Sequence, residues 1–64
     1  MKAELKKDLV IEFPMPSVQI PSGSEIELID FFDYDNEMYT VFRYDGFTYI
    51  KAKNDLKIEV ILEE

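Results

Sequence analysis

The stretch from Met38 to Ala52, Met-Tyr-Thr-Val-Phe-Arg-Tyr-Asp-Gly-Phe-Thr-Tyr-Ile-Lys-Ala, restricts the fold more than any other part of the chain. Two runs rich in β-branched and aromatic residues meet at Asp45-Gly46, a pair that supplies the two positive-φ positions of a type I′ turn. A β-hairpin follows, and its two-residue turn sets the register. Tyr44 is expected opposite Phe47, Arg43 opposite Thr48, Phe42 opposite Tyr49, Val41 opposite Ile50, Thr40 opposite Lys51 and Tyr39 opposite Ala52.

Sixty-four residues make one domain, and a chain this short buries only roughly 60% of the surface its unfolded form exposes, so every core residue matters. The chain has no cysteine and no histidine, which removes disulfides, thiolate nucleophiles and the usual zinc and haem ligands. Only carboxylate metal sites remain. No long uncharged apolar run is present, so neither a membrane span nor a signal peptide is expected, and the reading is of a soluble cytoplasmic protein.

The net charge of −7 is unevenly spread. Residues 1–7 set Lys2, Lys6 and Lys7 against Glu4. Residues 8–42 hold Asp8, Glu12, Glu25, Glu27, Asp30, Asp33, Asp35 and Glu37 without a single lysine or arginine. A field of that sign repels phosphate backbones, so direct nucleic-acid binding is not expected. The plain reading is a solvated surface that keeps a small protein soluble.

Residues 1–7 are read as a polar N-terminal arm and 8–64 as a single barrel domain. Within the arm the conformation stays open between a frayed end, a helical turn and an extension of the first strand. Leu9, Ile11 and Phe13 alternate with Glu12, the pattern of a half-buried strand over 8–13 that stops at Pro14. The three prolines then predict a loop over 14–24, with Val18 and Ile20 tucked beneath it. A second strand covers 25–32. Its alternation breaks after Leu28, because Ile29 and Phe31 have the opposite parity from Ile26 and Leu28, and this predicts a β-bulge or sharp bend. Residues 33–37 read as an exposed acidic loop. Beyond the hairpin, Lys53-Asn54-Asp55-Leu56 predicts a compact turn, one turn of 3₁₀ helix, that delivers Leu56 to the core. Lys57 to Leu62 is the last strand, with Ile58, Val60 and Leu62 on one side.

This order resembles a Src-homology-3-type small barrel: all-β, antiparallel and five-stranded. Ser22-Gly23-Ser24-Glu25-Ile26-Glu27-Leu28-Ile29 is similar to the Gly-Asp-x-Leu-x-Val-Leu run that opens that barrel's second strand. Tyr49-Ile50 followed by Asn54-Asp55-Leu56 resembles its Tyr-Ile-Pro-Ser-Asn-Tyr-Val corner, with one extra residue and no proline. The aromatic segments that build the family's polyproline groove are missing, so the resemblance implies the fold and not the ligand.

Both faces of the predicted hairpin are apolar. The aliphatic side, Tyr39, Val41, Ile50 and Ala52, is assigned to the single interior of a small barrel, so that Val41→Asp or Ile50→Asp should unfold it. Phe42, Tyr44, Phe47 and Tyr49 then form an outward ladder. That ladder is either an interaction surface or is covered by residues 1–7, the proline loop, or Phe31 and Phe32. Stacked nucleic-acid bases would need a basic groove beside such rings, and the ladder has only Lys51.

Asp33, Asp35 and Glu37 are the second interaction candidate. As a calcium loop the segment fails, since a start at Asp33 puts Met38 where glycine belongs and Tyr44 where the bidentate glutamate belongs. No cofactor is expected. Ser17, Ser22 and Ser24 have no histidine to activate them, there is no phosphate-binding glycine loop, and no carboxylate pair stands out, so catalysis and a small-molecule substrate are not expected. The expectation is a non-enzymatic interaction or regulatory module whose partner is a protein or a second copy, with no membrane partner. The alternative is a DNA mimic of the kind that small phage and mobile-element inhibitors use.

Overall fold

The computed structural model describes residues 1–12 and 16–61; the expectations placed on Phe13, Pro14 and Leu62 lie outside them. Strands β1 (Lys2–Leu5), β2 (Leu9–Ile11), β3 (Val18–Ile20), β4 (Glu25–Tyr34), β5 (Glu37–Tyr44), β6 (Phe47–Ala52) and β7 (Ile58–Ile61) are joined in sequence, with a 3₁₀ turn over Lys53–Asp55 before the last. Five of them form an antiparallel sheet in the order β6-β5-β4-β1-β7, and β2 pairs with β3 in a second, two-stranded sheet. The molecule is all-β, and no closed barrel forms among the described residues.

The membership of the main sheet differs from expectation at its centre. Residues 1–7 are not an arm: β1 lies between β4 and β7, with Ala3 and Leu5 fully buried. The ladder to β4 extends past both ends of the strand, the Leu28 N–H donating to the Met1 carbonyl (2.6 Å) and the Leu5 N–H to the Ser24 carbonyl (2.9 Å). Only two apolar side chains mark this strand in the sequence, and Lys2, Glu4 and the lysines that follow it hide them. The strand expected over 8–13 is the short β2 instead. Its partner β3 forms where a loop is expected, Leu9 opposite Ile20 and Ile11 opposite Val18, and the Ser22 N–H donates to the Asp8 carboxylate at 2.7 Å.

The core joins the two sheets. Ala3, Leu5, Ile26, Leu28 and Phe42 from the main sheet meet Leu9, Ile11 and Ile20 from the small one, with Leu56 delivered by the 3₁₀ turn. That turn is closed by the Leu56 N–H donating to the Lys53 carbonyl (3.1 Å). Leu9, Ile11 and Ile20 therefore supply what a curved sheet of this size lacks, a second layer for its concave side.

Candidate functional site

The Asp45-Gly46 turn and its register are as the sequence predicts: all six pairs from Tyr39–Ala52 to Tyr44–Phe47 form, and Asp45 and Gly46 have φ of 52° and 83°. The faces are reversed. Phe42 is completely buried and Thr40 is 1% exposed, while Tyr44 and Tyr49 are half-buried against the core. Phe42 and Tyr49 pack ring against ring at 5.7 Å. Phe42, Tyr44 and Tyr49 are thus not an outward ladder. Ile50, assigned to the interior, is 55% exposed, and Val41 is only half-buried. Phe47 shares the inner face but overhangs the core at the hairpin tip and stays exposed.

The cause is the pairing between β4 and β5. Leu28 lies opposite Phe42, directly opposed residues in a ladder share a face, and Leu28 points into the core with Ile26. Phe42 must follow. The bulge expected after Leu28 is present between Leu28 and Asp30, and it swaps the parity of the rest of β4. Beyond it Phe31 falls opposite Thr40 on the inner side and Phe32 opposite Tyr39 on the outer side.

The outer face of β4-β5-β6 consequently carries two apolar rows. Phe32, Tyr39 and Ala52 form one, with the Phe32 and Tyr39 rings stacked at 5.3 Å. Asp30, Val41 and Ile50 form the next, with Ile29 at the bulge beside them. Phe32, Ile29 and Ile50 are 38%, 48% and 55% exposed. A patch on the order of a few hundred Å² is the size at which exposed apolar surface on a small protein begins to mark a contact site. It is bordered by Glu27, Asp30 and Glu37, with Arg43 and Lys2 opposite Glu27 on either side. β6 is also a sheet edge, with neither proline nor bulge to block pairing.

Asp33, Asp35 and Glu37 do not form a loop cluster. Strands β4 and β5 run on to Tyr34 and Glu37, and Asp35-Asn36 is a second tight turn with φ of 52° and 64°. Asp33 lies on the inner side with Met38, whereas Glu37 lies opposite Tyr34 on the outer side, so the three carboxylates do not converge. Among the described residues no group of acidic side chains is placed to hold a metal ion. Glu37 instead accepts a hydrogen bond from the Tyr39 hydroxyl (3.4 Å), and its negative charge holds the Tyr39 phenol above the usual tyrosine range. Phe32, Tyr39 and Ile29 are the surface residues that sequence reading missed. The parity break at Ile29 was the signal, because it moves Phe32 to the face of Tyr39 and Val41.

Comparison with known protein families, characterised proteins and solved structures finds no match to this chain. No helix among the described residues is long and apolar enough to cross a membrane.

Proposed function

We propose that the chain is a small, non-enzymatic protein-interaction module of the cytoplasm, built as a Src-homology-3-type barrel and binding through the outer face of β4-β5-β6. The observation that carries the reading is the pair of adjoining rows in which Phe32 and Ile50 are exposed and Tyr39 and Val41 half-buried, on one side of a sheet whose core lies on the other. The all-β order and the 3₁₀ turn before the last strand support the barrel reading. The partner is a protein surface with an apolar centre and a basic rim. Glu27 and Glu37 on the same face are what a basic rim on the partner would meet.

Light scattering coupled to size exclusion, together with pull-down from the native host, tests this reading on the wild type and on Phe32→Ser with Ile50→Ser. A monomer that captures a partner, and a double variant that loses it while staying folded, support the proposal. A dimer that the double variant dissolves transfers the surface to self-association. The DNA-mimic alternative is favoured by one observation, the eight carboxylates of residues 8–42 without a basic residue among them. It predicts binding that collapses steeply with salt and competition with DNA for a basic partner, whereas an apolar contact is nearly salt-independent.

A further inference from the structure

On the opposite side of the sheet a groove of about 410 Å³ opens between the inner face of β4-β5 and the 3₁₀ turn. Its volume lies in the range, roughly 300–1,000 Å³, of small-molecule sites. The chemistry of its walls runs against that of the molecule. In a chain of net charge −7 with seven basic residues, Lys6, Lys53 and Lys57 all line this one groove, and no carboxylate among the described residues does. Lys51 lies on the same face, opposite Thr40.

The lysines are not equivalent. The Lys6 ammonium is already held by Glu4 (3.0 Å) and Glu59 (3.2 Å). Lys53 and Lys57 form no ion pair with another described residue, although the chain offers fourteen carboxylates. Their backbone is fixed: the Lys53 carbonyl closes the 3₁₀ turn, and the Lys57 carbonyl accepts the Lys6 N–H at 2.7 Å. The remaining wall has a different character. Phe31 is 47% exposed within the groove, Leu56 and Ile58 line its base, and Asn54 contributes an amide. Thr40, 1% exposed, lies on the inner face along the groove wall.

We propose that this groove binds a small phosphate monoester joined to a flat ring, the chemistry of a mononucleotide. Lys53 and Lys57 hold the phosphate as point charges, the ring stacks on Phe31 as bases stack on aromatic side chains, and Asn54 meets its polar edge. Of the nearby carboxylates, Glu4 and Glu59 are engaged by Lys6 and Asp55 is not among the groove's lining residues, while charges more than about 8–10 Å away are largely screened at physiological salt. The site is independent of the protein-contact surface, which faces the other way.

The test is NMR titration of the full chain with adenosine monophosphate, adenosine and inorganic phosphate, on the wild type, Lys53→Gln with Lys57→Gln, and Phe32→Ser with Ile50→Ser. Saturable shifts confined to Phe31, Thr40 and residues 53–58 with the nucleotide are expected. Affinity should fall at least tenfold in the double lysine variant and stay unchanged in the outer-face variant. No saturable shift at millimolar nucleotide, or equal affinity in the lysine variant, overturns the site. Adenosine binding as tightly as the nucleotide overturns the role of the phosphate, and phosphate binding as tightly overturns that of the ring.

Discussion

The two faces of the β4-β5-β6 sheet are built from the same kinds of residue and meet opposite fates. The inner face carries Leu28, Thr40, Phe42 and Tyr49, and the outer face carries Phe32, Tyr39, Val41 and Ile50. Each has an aromatic pair in ring contact. Only the inner one is covered, because the β2-β3 sheet and the 3₁₀ turn bring Leu9, Ile11, Ile20 and Leu56 to that side. Hydrophobicity alone does not distinguish a core from a contact surface; which side the rest of the chain reaches does.

The sharpest way to break this comparison is to cut a side chain from the inner face. Phe42→Ala should cost about 3–5 kcal/mol, near the whole stability of a domain this small, so circular dichroism should show a largely unfolded chain at ambient temperature. Gly46→Ala acts on both faces through their shared register. A Cβ there meets no neighbour within 4 Å, so the cost of about 1 kcal/mol is that of a non-glycine residue at positive φ, read as a lower denaturation midpoint with an unchanged slope. Phe32→Ala removes an outer stacked ring and should cost about 0.5–1.5 kcal/mol. Ile50→Asp should stay folded, within about 0.5 kcal/mol of wild type. If Ile50→Asp unfolds while Phe42→Ala does not, the assignment of faces is reversed.

The smallest effect concerns Tyr39. Its folded-state pKa is raised, first by the charge of Glu37 and then by partial desolvation. The native state therefore holds its proton longer than the unfolded chain. The associated stability is complete below the unfolded value, about 10, and is lost as pH rises through the folded one. Glu37→Gln should bring the Tyr39 ring titration, followed by NMR, back toward the ordinary tyrosine range.

Much of the local structure was legible because it is encoded within a few residues. Asp45-Gly46 specified a turn whose geometry admits one register, the parity break at Ile29 specified a bulge, and Lys53-Asn54-Asp55-Leu56 specified a 3₁₀ turn. The candidate site was legible only in kind. The pattern implies an exposed apolar face on this hairpin but points to Phe42, Tyr44 and Tyr49 rather than Phe32, and the acidic run over 33–37 hides a two-residue turn at Asp35-Asn36. Ala3 and Leu5 were too few to announce a central strand, and Val18-Gln19-Ile20 was concealed by the prolines around it.

What the amino-acid order determined by itself was the β character of the chain, the β5-β6 register and the position of the bulge, since each rests on turn geometry or on the alternation of neighbouring side chains. What only the tertiary structure decided was which side of that sheet is inside. With both faces apolar, local pattern is indifferent to inversion. The choice fell to non-local contacts: the pairing of Leu28 with Phe42, and the arrival of β2-β3 on one side only.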